Sequence, residues 1–150
     1  MDLLGVLLPQ RCAVCALPGA ELCSGCRDAF RRLTGPGCSR CAAPTAWPVA
    51  RCRECTGRRL AFASAQAAIV YDRAAAQFVR SWKERGLQRL SSIAADLVAE
   101  TVLCPSGALT YVPSDQKRAR ERGHHPAERL AVELAGRWEL PVELRPPRIR

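Results

Sequence analysis

Eight of the nine cysteines fall into four Cys-x-x-Cys pairs within the first 55 residues: Cys12/Cys15, Cys23/Cys26, Cys38/Cys41 and Cys52/Cys55. A Cys-x-x-Cys turn sets two thiolates on one side of a metal ion. Two such turns complete the four-sulfur tetrahedron that Zn²⁺ prefers. Four turns make two sites. The pairs are separated by seven, eleven and ten residues, enough for a short hairpin or knuckle each time. Sequential pairing gives Cys12, Cys15, Cys23 and Cys26 to one ion and Cys38, Cys41, Cys52 and Cys55 to the other. Crossed pairing, first with third and second with fourth, is the alternative. Shorter loops close at lower entropic cost, which favours the sequential arrangement. The stretch Arg31-Arg32-Leu33-Thr34-Gly35-Pro36-Gly37 reads as a linker between the two sets.

A disulfide framework could use the same cysteines, but it needs an oxidising compartment. The segment Met1–Pro9 is apolar but opens with an acid and lacks a small-residue cleavage site before Cys12. It reads as a short amphipathic helix, not a secretory leader. Redox Cys-x-x-Cys motifs occur singly, at the start of a helix after a strand; these come in series among Gly and Pro. No stretch approaches the ~20 apolar residues of a membrane helix. The cytoplasm is the expected compartment. Cys104, alone in Val102-Leu103-Cys104-Pro105, reads as a buried apolar residue at a helix end.

The formal charge of +9 invites a nucleic-acid reading. Residues 1–60 hold nine basic and four acidic side chains, a formal +5. Eight thiolates and two Zn²⁺ bring that segment to about +1. Residues 61–150 hold fourteen basic and ten acidic side chains. Aromatic residues, on which single strands stack, are sparse, with Phe30 and Trp47 alone in the first 60. Nucleic-acid binding is thus compatible with the composition without being required by it.

These cysteines need little regular structure to position them. Up to about residue 60 the chain is rich in Cys, Pro, Gly and Arg with weak periodicity. Such a segment buries little core, and structural zinc would supply folding free energy of about 10 kcal/mol or more per site. After Leu60 regular elements are expected, so residues 1–60 read as a double zinc ribbon and 61–150 as a second unit. Ser64–Tyr71 is small and β-branched, as in a strand. Ala74, Ala75, Phe78, Val79 and Trp82 predict a helix over 74–83, ended by Gly86. Leu87, Leu90, Ala94, Leu97, Thr101 and Val102 predict another. Residues 108–112 read as a strand stopped by Pro113. Ala127 to Trp138 form a helical stripe started by Pro126, and Pro141–Leu144 read as a further strand. The order points to an α/β layer.

Two segments of this second unit carry chemistry. Lys83 and Arg85 in Trp82-Lys83-Glu84-Arg85-Gly86 suit a helix C-terminus. The stretch Val112–Pro126 includes Lys117, Arg118, Arg120 and Arg122, after a strand and before a helix. Ligands of open α/β sheets bind at such strand ends, and a helix start adds N–H donors for an anion. The stretch reads either as a solvated basic loop or as an anion site. With eight sulfurs filling two metal sites, His124 and His125 are assigned surface or turn roles.

Taken together, the cysteine pairs, Trp82-Lys83-Glu84-Arg85-Gly86, Val112-Pro113 with Arg118, Arg122-Gly123-His124, and Ala127-Glu128-Arg129-Leu130-Ala131 resemble the ComF family. Members combine a double zinc ribbon with a type I phosphoribosyltransferase-like domain and are linked to DNA uptake in competent bacteria. The family's usual motifs are Leu-Lys-Tyr-Arg-Gly and Arg-Gly-Phe-Asn-Gln, where this chain has Trp-Lys-Glu-Arg-Gly and Arg-Gly-His-His-Pro. The resemblance implies two zinc ions, a partial α/β phosphoribosyltransferase-like domain over 61–150, and single-stranded DNA or competence-machinery proteins as partners. It places Lys83, Arg118 and Arg122 on the pyrophosphate side of a phosphoribosyl pyrophosphate (PRPP) site, which would also take Mg²⁺. The family's two adjacent acids, which hold the ribose hydroxyls, have no counterpart here. Both Thr-Gly pairs, Thr34-Gly35 and Thr56-Gly57, lie in the cysteine region and not in a 5-phosphate loop. The resemblance therefore implies a chain truncated before the PRPP loop and without transferase activity. A zinc-ribbon module that binds DNA or a protein without catalysis is the alternative.

Overall fold

The computed structural model describes residues 10–113, 117, 120–121 and 123–143. The expected helix over Met1–Pro9, the end of the last strand at Leu144, and Arg118 and Arg122 lie outside the described residues. Among the described residues the helices are α1 (Ser24–Asp28), α2 (Arg73–Lys83), α3 (Leu90–Ala99) and α4 (Pro126–Trp138), with isolated helical residues at 117 and 120–121. The α2 helix starts where Asp72 accepts a hydrogen bond from the Ala75 amide at 3.0 Å, satisfying one of the helix's orphan donors. It buries Ala75, Phe78, Ser81 and Trp82 on one face. Gly86, at φ 70°, supplies the left-handed residue after its end. The α3 helix is shorter than its apolar spacing predicts, because Leu87–Arg89 form a turn before it. The α4 helix opens on Pro126, whose missing N–H is no loss in the first turn.

Strands are the main departure from expectation. No ladder forms over 64–71; residues 61–67 are exposed, and only Ile69 pairs, antiparallel with Arg32. The small side chains of Ser64-Ala-Gln-Ala-Ala offer no cross-strand partner enough apolar surface to bury. The expected strands at 108–112 and 141–144 reduce to one parallel pairing, Leu109 with Val142, across α4. The Leu109 amide donates to Pro141 and the Glu143 amide to Leu109, at 2.9 and 2.8 Å. Beyond residue 60 the described chain is thus helical with few strand pairings, and the α/β layer is represented by that single crossover.

The hydrophobic core crosses residue 60. Ala13 and Phe30 from the cysteine-rich segment join Ala75, Phe78, Trp82, Leu90, Ala94 and Leu97 in one cluster, with Val14 and Leu22 against it. Phe30 meets Phe78 edge-on, with ring centroids 5.7 Å apart, a favoured aromatic geometry. The Ser81 hydroxyl donates to the Ala13 carbonyl at 3.0 Å, and the Trp82 indole to the Ser91 hydroxyl at 2.8 Å, both buried. Glu100 at the end of α3 receives Arg27 and Arg32. Arg137 ties α4 to α3 through Asp96 and the Ser92 hydroxyl, each at 2.8 Å.

Candidate metal centres

The structure gathers the eight paired cysteines into two sequential groups. The sulfurs of Cys12, Cys15, Cys23 and Cys26 lie within 4.8 Å of one another, as do those of Cys38, Cys41, Cys52 and Cys55. A zinc ion bonded to four sulfurs at about 2.3 Å places them about 3.8 Å apart. Cys15 and Cys23 approach to 3.7 Å, and Cys41 and Cys52 likewise to 3.7 Å. The donor set and its spacing therefore fit two zinc ions.

The backbone builds both sites in the same way. In each Cys-x-x-Cys turn the amide after the second cysteine donates to the carbonyl of the first: Ala16 to Cys12 at 2.9 Å, Arg27 to Cys23 at 3.0 Å, Ala42 to Cys38 at 2.8 Å, and Thr56 to Cys52 at 3.0 Å. Arg11 pairs with Pro18 in the first ribbon as Gly37 pairs with Pro44 in the second. Ala16 and Ala42, directly after the second cysteines of these knuckles, sit at φ 63° and 56°. The Cys23 amide points at the Cys12 sulfur at 3.5 Å and the Cys52 amide at the Cys38 sulfur at 3.2 Å. Such outer hydrogen bonds stabilise a thiolate and orient it toward a metal.

The sulfurs also show why a cation belongs among them. Burial works to raise the Cys12 thiol, but the backbone amides of Cys15, Cys23 and Val14 outweigh it and lower the pKa to about 6. Cys38 is lowered to about 6 in the same manner, burial being outweighed by the amides of Cys41, Arg40 and Cys52. Burial, then the neighbouring Cys23, Cys15 and Cys12 sulfurs, raise Cys26 far above the ordinary thiol range. Cys55 is pushed up to about 12, first by its hydrogen bond with Cys41, then by burial and the other two sulfurs. Cys15 is raised too: the Leu17 amide works to lower it, and desolvation with the Cys12 and Cys23 thiols prevails. Four thiolates cannot share so small a volume without a positive charge, and a bound divalent ion inverts that penalty.

The two sites differ in their surroundings. The first is packed into the main core through Ala13, Val14, Leu22 and Phe30, whereas no described residue of 37–60 joins that cluster. The second leans on Arg40, whose guanidinium donates to the Ala63 and Leu60 carbonyls at 2.7 and 2.8 Å and lies over Phe62.

The segments singled out in the second unit meet beside α4. Gln88 donates to the Gly123 carbonyl at 3.4 Å. A groove of about 630 Å³ runs over Gly86, Gln88, Arg89 and Arg129 with Glu21 and Glu133, and a second of about 440 Å³ continues over Gly123, His124, His125, Glu128 and Glu133. On the α2 side the first groove starts at Gly86, three residues beyond Lys83. That side chain is exposed in the last turn of α2, with its ammonium 5.7 Å from the centre of the Trp82 ring.

One expectation is corrected. Cys104 is exposed, not buried, because α3 ends at Ala99 and the following turn carries Leu103-Cys104-Pro105 to the surface. Of the surface or turn roles expected for the histidines, His124 takes the turn, where at 6% exposure it is buried ahead of α4, while His125 is half-buried as the residue before its first turn. Sequence reasoning also missed Ser81 and Glu100, the polar links between the first ribbon and the helices. A serine on the apolar face of α2 was the available signal for Ser81; nothing local marks Glu100.

The paired knuckles and their two tetrathiol clusters define a zinc-ribbon type of metal module. Residues 3–56 match the family model of the double zinc ribbon domain. No curated protein and no solved structure gave a match to the chain. No described helix is long and apolar enough to cross a membrane.

Proposed function

We propose that this chain is a zinc-dependent, ComF-like protein related to phosphoribosyltransferases, acting in the cytoplasm in the handling of incoming DNA. The observation that carries the reading is the approach of the Gly86–Arg89 turn to Gly123-His124-His125 along two adjoining grooves, joined by Gln88 and the Gly123 carbonyl. These are the ends of the two motifs that resemble the family's pyrophosphate-side segments. The parallel pairing of Leu109 with Val142 across α4 supports it, since such a crossover places the loop after Leu109 at a strand's carboxyl end.

In this reading Lys83, Arg118 and Arg122 hold pyrophosphate oxygens, with Mg²⁺ accompanying the substrate. The first zinc ribbon braces α2, the helix that ends at Lys83. The adjacent acids and Thr-Gly loop by which the family holds ribose and 5-phosphate are not among these 150 residues, so they supply binding elements and not a transferase reaction. Titration calorimetry of the zinc-loaded protein, expressed from its full reading frame, tests the reading with PRPP and Mg²⁺. Saturable heat that is lost in Lys83→Ala supports it. No heat at millimolar PRPP from protein holding two zinc ions overturns it.

A further inference from the structure

The two tetrathiol sites share a backbone plan but differ in access. In the second, Cys38 and Cys55 are buried and Cys41 and Cys52 half-buried. In the first, Cys12 is buried, Cys23 and Cys26 are half-buried, and Cys15 is exposed. The loop that follows Cys15, Ala16 to Gly19, is exposed as well, so solvent reaches this turn freely. The Cys23 sulfur lies 3.7 Å away on the facing knuckle. Cys41 and Cys52 are equally close, at 3.7 Å, but neither is exposed. The Arg11 guanidinium donates to the Ala16 carbonyl at 3.2 Å and so sets a positive charge beside the Cys15 turn. Oxidation-sensitive cysteines are accessible, lie among positive charge and stand next to a second cysteine that resolves them. Cys15 meets all three conditions, and as a metal ligand it is already a thiolate, the nucleophilic form.

The first site is also the one joined to the helices. Ala13, between Cys12 and Cys15, donates its amide to the Glu21 carbonyl at 2.8 Å, and its own carbonyl accepts the Ser81 hydroxyl of α2 at 3.0 Å. Glu21, between Cys15 and Cys23, holds its carboxylate 3.6 Å from Arg89, the residue before α3. Whatever opens the first site therefore pulls on α2 and on the start of α3. No described residue of 37–60 joins the helical core.

We infer that Cys15 is a site of oxidation by hydrogen peroxide, and that its bond to Cys23 empties the first zinc centre while the second stays loaded. The Cys15 sulfur attacks the peroxide: an S–O bond forms, the O–O bond breaks, and the leaving hydroxide takes a proton from solvent. Cys23 then attacks the Cys15 sulfur: the S–S bond forms, the S–O bond breaks, and a second hydroxide leaves and is protonated to water. Two thiolates lose two electrons, one peroxide becomes two waters, and two solvent protons are consumed. Two sulfurs are left for an ion that takes four ligands, so zinc departs and α2 loses its brace. A dithiol reverses the modification by reducing the S–S bond and being oxidised itself. Transient disulfides of this kind suit a reducing compartment. The inference does not rest on PRPP binding, and failure of that reading would leave it standing.

The test is hydrogen peroxide titrated into the zinc-loaded full chain carrying Cys104→Ser, which removes the exposed thiol outside the two sites. A zinc-binding dye should record the release of one of the two ions, with one peroxide consumed per zinc. The urea midpoint of the helices should fall with that release, and dithiothreitol with zinc should restore both. Cleavage after arginine and after Glu21 separates Cys12 and Cys15 from Cys23 and Cys26, and mass spectrometry should find these peptides joined through Cys15 and Cys23. Cys15→His keeps four ligands of kinds that zinc accepts and should hold both ions against the same dose. The peptide mapping stands whether or not that variant loads. The inference is overturned if zinc leaves the second site first or both sites together, if Cys15 is found unmodified or joined to another cysteine, if the helical midpoint is unmoved or does not recover, or if zinc-loaded Cys15→His empties like its parent.

Discussion

Replacing Phe30 by alanine asks whether the first zinc site and the helices are one cooperative unit. Phe30 follows the Cys26 knuckle and is 4% exposed against Phe78 of α2. Truncating a buried Phe costs about 3–5 kcal/mol, of which the edge-on ring pair accounts for about 1. With a urea m-value of about 2 kcal/mol/M, a loss of about 4 kcal/mol moves the midpoint down by about 2 M. Circular dichroism of the helices in the zinc-loaded protein reads that midpoint. Chelator-driven release should accelerate for one of the two zinc ions and not the other, because no described residue of the second ribbon touches this cluster. A double-mutant cycle with Phe78→Ala should give a coupling of about 1 kcal/mol. If the helical midpoint stays within about 0.3 M of native while a zinc ion leaves faster, ribbon and helices are separate units and the reasoning fails.

Three other outcomes are expected. Ala16→Gly and Ala42→Gly, at φ 63° and 56°, should each stabilise the protein by about 0.5–1 kcal/mol in urea melts, by relieving a left-handed conformation that an L-alanine adopts at a cost. Destabilisation by both would refute that account. Ser81→Ala strands the buried Ala13 carbonyl and should cost about 1–3 kcal/mol; a native midpoint would show that this bond does not join the ribbon to α2. Zinc affinity should fall with pH. Cys15, Cys26 and Cys55 are all raised and hold protons at pH 7 that the metal must displace, whereas Cys12 and Cys38, lowered to about 6, begin to compete only as pH drops through that value. Calorimetry in buffers of different ionisation enthalpy should find at least three protons released per two zinc ions at pH 7.5, and an affinity flat from pH 6 to 8 would contradict it.

The grouping of the cysteines was legible because ligand spacing is a local property, and loop-closure entropy favoured the pairing that the structure shows. Helices α2 and α4 were legible for the same reason: Phe78 and Trp82, or Leu130 and Leu134, mark one face within a few turns. The strands were not. Residues 64–71 have β-like composition, but a strand is defined by its neighbour, and only Ile69 finds one in Arg32. Composition also changed sharply near residue 60 while packing did not, since Ala13 and Phe30 owe their burial to α2, more than forty residues further along the chain. Cys104 misled because its apolar neighbours Leu103 and Val102 implied a helix that stops at Ala99.

The likeness of the two knuckles has a consequence for assembly. Each first-knuckle pair presents two sulfurs in the same turn, so a zinc ion held by Cys12 and Cys15 has no chemical reason to prefer Cys23 and Cys26 over Cys52 and Cys55. Chain length alone discriminates before the core forms. Closing the loop from Cys15 to Cys52 in place of that to Cys23 costs about 1.4 kcal/mol more, roughly a tenfold bias. That bias leaves about one chain in ten bridged across the wrong partners before the core forms, and the packing of Phe30 on Phe78 then adds to the preference for the sequential grouping. Maturation of this protein is therefore a sorting problem, which docking of the helices on the first ribbon helps to resolve.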